Sequence, residues 1–167
     1  MQNLVSKKEE EERRLKALAE YRILGTKPES CYDDITKIAA TTCNVPISLM
    51  TLVDKDKQWF KSKIGLQISE TRRDWSFCTH AIKENSPLII HDAFQDERFI
   101  NNPLVTGDPK IRFYAGFPLR NSDGNKLGTL CVIDRKPGNL TTQQFNIMEL
   151  LSKQIVSFLE LRKKSLN

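Results

Sequence analysis

Leu15, Leu18, Tyr21 and Leu24 recur at helical spacing within a charged run and predict a first helix over residues 4–24. Glu9, Glu10 and Glu12 stand four residues ahead of Arg13, Arg14 and Lys16, the favourable order for ion pairs along a helix. The apolar stripe is thin, so the first half of this helix is expected in water or against a partner. Gly25 and Pro28 end it. Ser30 and Asp33 then have the spacing of a capping box, Ile35, Ile38, Ala39 and Thr42 follow at helical intervals, and Asn44 and Pro46 close a second helix.

The period then changes from helical to alternating. Residues 47–54 read as a strand with Ile47, Leu49, Thr51 and Val53 on one face and Met50 and Leu52 on the other. Apolar residues on both faces predict a central strand covered on both sides. A turn at 54–57 leads to a second strand over 58–64, stopped by Gly65, and residues 66–74 read as polar and irregular. A short helix is expected over 76–84, capped by Asp74 or Ser76. A third strand over 88–93 precedes a long connection at 94–110 rich in Asp, Asn, Pro and Gly, of a length usually tied to function or motion. Strands over 111–120 and 126–134 flank Asp123-Gly124, a hairpin signal that makes them antiparallel. Thr141 and Gln144 form a capping box for the last helix, whose apolar surface spreads well beyond one stripe and needs cover from more than one side. This order predicts an α+β fold with helices packed on an antiparallel sheet. There is no internal repeat of useful length.

Composition narrows the function classes. The 167 residues carry 39% hydrophobic and 28% charged residues, which suits one ordered domain. The net charge of +5 is spread over Lys7-Lys8, Arg72-Arg73 and Arg162-Lys163-Lys164 and makes no basic tract with interleaved aromatics, so no nucleic-acid partner is expected. Cys31, Cys43, Cys78 and Cys131 contain no CxxC pair and read as reduced thiols of a cytoplasmic protein. No apolar run approaches the ~18 residues of a membrane span, so neither a membrane partner nor export is expected.

Six blocks carry a resemblance: Ile47–Asp54, Gln58-Trp-Phe60, Ser76–Ile82, Ile89–Ala93, Arg112–Leu119 and Leu127–Asp134. In this order they resemble a GAF domain, of the type placed ahead of bacterial sensor histidine kinases and diguanylate cyclases. The resemblance covers residues 15–160, with residues 1–14 as a helical extension and 161–167 as a tail or linker helix. It implies a central antiparallel sheet of five or six strands with the first and last helices on one face. The other face would carry the short helix and the long loop over a ligand cavity. It also implies a homodimer through the terminal helices.

Family membership does not fix activity. The Asn-Lys and Phe-x3-Asp-Glu pattern of cyclic-nucleotide GAF domains is replaced here by Ile133-Asp134-Arg135 and Leu140-x3-Gln144-Phe145. No Cys-His pair is present for a bilin. Cys78 falls where free methionine-R-sulfoxide reductases keep one cysteine, but residues 79–130 contain none for their catalytic nucleophile.

The candidate ligand-binding set is Trp59, Trp75, Phe77, Cys78, His80, Asp92, Arg112 and Tyr114. The aromatics could line a cavity, with core packing as the competing account. Arg112 could fork onto a carboxylate or phosphate, against a salt bridge to Asp74, Asp92 or Asp96. Arg72-Arg73 before the short helix could help hold an anion, against a solvated loop. Cys78, His80, His91 and Cys131 have no zinc spacing, so no metal is expected. No catalytic triad, phosphate loop or carboxylate pair can be assembled. The expected function is a non-catalytic module that senses an unidentified small molecule and signals to a histidine kinase or diguanylate cyclase. The alternatives are a methionine-sulfoxide reductase-like redox enzyme and a structural dimerisation module without ligand.

Overall fold

The structure, a computed structural model, describes residues 6–167. Helices α1 (Lys7–Glu20) and α2 (Ser30–Cys43) lead into strands β1 (Ile47–Val53), β2 (Lys57–Ile64) and β3 (Glu70–Arg72). A 3-10 turn at Arg73–Trp75 opens onto α3 (Phe77–Ala81), followed by β4 (Leu88–Ile90), a second 3-10 turn at Ala93–Gln95 and α4 (Pro103–Thr106). Strands β5 (Phe113–Arg120) and β6 (Lys126–Asp134) and the long helix α5 (Thr142–Ser165) complete the chain. All six strands form one antiparallel sheet in the order β3-β2-β1-β6-β5-β4. The fold is α+β, as the pattern predicts. Both outermost strands are only three residues long.

Alternation along β1 divides the core into two layers. Met50 and Leu52 join Leu18, Tyr32, Ile35, Met148, Ile155 and Leu159 on the side of α1, α2 and α5. Ile47, Leu49 and Val53 join Phe77, Phe99, Val105 and Tyr114 on the side of α3 and the long connection. Every residue of β1 is buried, because β2 and β6 flank it and both faces are covered. The β1–β6 pair is also tightly apposed: a Cβ on Gly128 would lie 1.9 Å from the Thr51 carbonyl oxygen, so only glycine fits there.

Several local expectations need correction. Helix α1 stops at Glu20, with Tyr21 as its C-cap and Arg22 in the left-handed region; predicted residues 4 and 5 lie outside the described residues. Arg14 pairs with Glu11, three residues before it, and not with Glu10. Ser30 is the first helical residue of α2 and no side chain caps that helix. Asp33 is instead engaged by Ser62, whose hydroxyl donates to its carboxylate at 2.5 Å. The stretch at 66–74 contains β3, the predicted third strand ends at Ile90, and the predicted loop contains α4. The Asn44 C-cap, in the left-handed conformation, and the Thr141–Gln144 capping box form as read.

One irregularity positions a charge. The β1–β2 register skips Lys61: Met50 faces Ser62 while Thr51 faces Phe60. A bulge sets two residues against one and breaks the alternation. Lys61 is thereby carried under the α1–α2 connection, where its fully buried ammonium donates to Thr26 Oγ1 at 2.8 Å and pairs with Glu29 at 2.6 Å.

Candidate functional site

The face of the sheet opposite the long helices is closed by short elements alone: five residues in α3, four in α4, and the turns between them. Ser76 caps α3 by accepting from Thr79 N, and its hydroxyl donates to Gln58 at 2.6 Å, tying the helix start to β2. Asn102 donates to the Trp75 carbonyl at 2.9 Å and so joins the α4 start to the α3 start. Phe77 stacks on Phe99 with centroids 4.1 Å apart and lies tilted against Tyr114 at 5.1 Å. Beneath this roof lies an apolar cavity of about 20 Å³, lined among others by Phe60, Phe77, Cys78, Tyr114 and Cys131. That volume admits a single water-sized molecule.

The floor carries a compact polar cluster. Cys78 Sγ lies 3.1 Å from the Tyr114 hydroxyl and 3.0 Å from Thr129 Oγ1, which is itself 3.0 Å from Thr51 Oγ1. Gly116 makes room for the phenol: a Cβ there would meet the Tyr114 oxygen at 2.1 Å. Burial opposes ionisation of Cys78, but the neighbouring donor groups of Cys131, Thr129, Thr51 and Tyr114 outweigh it and hold the thiol below the usual cysteine range. Burial and the neighbouring Cys78 sulfur push Tyr114 and Cys131 well above their ordinary values.

The structure brings Phe77, Cys78 and Tyr114 together at the cavity, with Trp75 half-buried at the edge of the same core. His80 is half-buried at the roof, edge-on to Phe99 at 4.9 Å, and burial together with Lys83 and Arg98 lowers its pKa. Arg112 is held by the carbonyls of Val105 (2.9 Å) and Ile111 (3.0 Å) and covers the Phe94 ring at 4.8 Å; none of the three expected carboxylates engages it. Asp92 caps the second 3-10 turn by accepting from Phe94 N. Trp59 faces the other way, into the layer beneath the long helices. Arg72 bonds Asp74 and lies over Trp75. Among the described residues no group of three or more His, Cys, Asp or Glu is placed to hold a metal.

The contacts that sequence reasoning missed form a track from the roof to the helices, and they engage Arg73, expected to hold an anion or to stand in a solvated loop, with a carboxylate of this chain. Arg73, just before α3, donates to Glu11 at 2.5 Å and to the Asp54 carbonyl at 3.2 Å. Glu11 also accepts both arms of the Arg14 guanidinium at 2.9 Å, and Arg14 reaches the Lys126 carbonyl. Burial works against the Glu11 charge, but the two guanidinium groups prevail and hold its carboxyl at about 2. The end of α1 is tied to α5 in turn. Tyr21 bonds Glu160, Lys163 pairs with Glu20, and Arg162 donates to the carbonyls of Tyr21 (2.8 Å) and Arg22 (2.7 Å). Contacts separated by 62 and 141 residues leave no local signal in a sequence.

The GAF domain family model matches residues 27–158. A cyclic di-GMP phosphodiesterase of Pseudomonas aeruginosa is 37% identical over 150 residues, which are 89% of this chain and 26% of the relative's length. The GAF domain of an Acinetobacter phosphoenolpyruvate-protein phosphotransferase superposes with a TM-score of 0.64 at 14% identity, covering 96% of this chain and 95% of the other. A free methionine-R-sulfoxide reductase of Neisseria meningitidis superposes with a TM-score of 0.65 at 13% identity, covering 95% and 90%. At these identities the two solved structures share the fold alone. Among the described residues no helix is long and apolar enough to cross a membrane.

Proposed function

The chain belongs to the GAF domain family, and we propose from that premise that it is the non-catalytic sensing module of a signalling protein. A small molecule binds between the sheet and α3, against Trp75, Phe77, Cys78 and Tyr114, and its presence is relayed through α1 and α5. The observation that carries this reading is the ion-paired track Arg73–Glu11–Arg14, which fastens the element opening the roof to α1, whose end is fastened to α5. A ligand of metabolite size must lift α3, because the cavity holds only about 20 Å³. Movement of α3 moves Arg73, since Thr79 Oγ1 and Ser76 N both donate to the Arg73 carbonyl.

Release of the signal through a homodimer is supported by α5. Leu150 and Leu161 are both 62% exposed, and eleven residues place them within ~20° of one helix face. An open groove of about 820 Å³ runs beside this helix past Phe117 and Val156. The output we propose is an enzyme of cyclic di-GMP metabolism or a histidine kinase, the former favoured by the Pseudomonas relative's name. We assign the module to the cytoplasm. A second reading, a structural dimerisation module without ligand, is favoured by the tight packing around Phe77 and Phe99.

Native mass spectrometry on freshly purified protein separates the two. A dimer carrying a dissociable small molecule in each subunit is expected from the sensing module. A dimer of bare chain mass favours the structural module, and a monomer of bare chain mass at high concentration rejects both.

A further inference from the structure

The cavity face holds a pair of thiols whose chemistry the sensing role leaves unused. Cys78 on α3 and Cys131 in the middle of β6 are both buried and border the same cavity, and Cys78 Sγ lies 3.0 Å from Thr129 Oγ1, two residues before Cys131 and so on the same face of β6. Helix α3 packs directly on β6, with Cα atoms of the two elements within 8 Å of each other, and a disulfide needs its two Cα atoms brought to ~4.4–6.8 Å. Cys31 and Cys43 have no comparable geometry, standing at opposite ends of α2, ~18 Å apart by helical rise.

We propose that Cys78 and Cys131 form an oxidisable dithiol, which hydrogen peroxide converts into an internal disulfide that pins α3 to β6. The size of the space chooses the oxidant. Both sulfurs border the cavity of about 20 Å³, which takes a molecule near the size of water and has no room for a glutathione-sized disulfide. The ring of hydroxyls from Thr129 and Tyr114 supplies donors to a developing thiolate on Cys78, so Cys78 is the attacking sulfur.

The chemistry balances in two steps. The Cys78 thiolate attacks one peroxide oxygen. The O–O bond breaks, the departing hydroxide takes up the proton lost by the thiol and leaves as water, and Cys78 becomes a sulfenic acid. The Cys131 sulfur then attacks Cys78 Sγ. The S–O bond breaks, the S–S bond forms, and the second water carries away the Cys131 proton. Two electrons pass from the sulfur pair to the peroxide.

The test uses the full chain, reduced, freed of reductant and exposed to hydrogen peroxide, then quenched with catalase and alkylated in denaturant. The expected product is lighter by two hydrogens before alkylation and leaves two of the four cysteines unalkylated. It yields a Cys78–Cys131 cross-linked peptide that dithiothreitol dissolves. Glutathione disulfide in place of peroxide should give neither the cross-link nor a mixed disulfide at these positions. In Cys131→Ser, Cys78 should gain oxygen without a cross-link. Alkylation of all four cysteines after peroxide, a cross-link between other cysteines, or equal reaction with glutathione disulfide each overturns the proposal. The unmodified chain alone decides these outcomes, so a variant that fails to fold does not obscure the result.

Discussion

Replacing Glu11 by Gln removes the one carboxylate shared by Arg14 and Arg73 while keeping size and hydrogen-bonding capacity. Arg14 is only 6% exposed, so its charge loses its partner in a place where water replaces it poorly. Lowering the Glu11 carboxyl from 4.5 to about 2 corresponds to ~3.4 kcal/mol at ~1.36 kcal/mol per unit. The Glu11 side chain is 32% exposed, and solvent screening reduces that figure to ~1–2 kcal/mol. For a chain of this length the loss translates into a melting temperature lower by ~2–8 °C at pH 7. The carboxylate's folded pKa lies below its unfolded value. Its contribution is therefore complete above pH ~4.5 and declines as pH falls towards 2. Urea denaturation of the parent and the Glu11→Gln variant at pH 7, 5, 4 and 3 should show a gap that is constant from 7 to 5 and narrows below. A gap under ~0.3 kcal/mol at pH 7, or one that does not narrow by pH 3, refutes the reasoning.

Gly128→Ala should cost at least ~2 kcal/mol in urea denaturation, because the added methyl meets the Thr51 carbonyl and overpacks the β1–β6 pair; a neutral result means that the two strands separate easily. Phe99→Ala removes the ring that stacks on Phe77 and contacts His80, and should cost ~3–5 kcal/mol while enlarging the cavity. Increased binding of a hydrophobic dye by the folded variant checks the second part. Thr141→Ala deletes half of a capping box and should cost ~1 kcal/mol in the same denaturation assay, with Thr141→Ser restoring most of it.

The sheet was legible because its signals are local. Both-face hydrophobicity marked β1 as interior, and Asp123-Gly124 marked the β5–β6 hairpin, whose turn Asn121 organises by accepting from the backbone N–H groups of Asp123 and Asn125. The part of the candidate site built on α3 was also readable: Phe77 and Cys78 follow a Ser76 cap, and Tyr114 lies on a strand whose apolar run is buried on both faces. Trp59 was ambiguous because a strand residue can face either layer until its register with Leu52 is known. Asp92 and Arg112 satisfy backbone groups of the connection itself, and that use is invisible until the loop closes. Lys61 was unreadable because a bulge cancels the alternation on which strand reading rests. The Arg73–Glu11 pair was equally hidden, since ion pairing depends on which loop α1 crosses.

The two short margins of the sheet have a consequence for how copies of this domain can meet. β3 and β4 offer three residues each, too little unpaired backbone to template an incoming strand. Runaway ribbon growth and amyloid-like stacking therefore find little purchase on the native state. Contacts between folded copies are channelled to side-chain surfaces, where a single substitution can tune them.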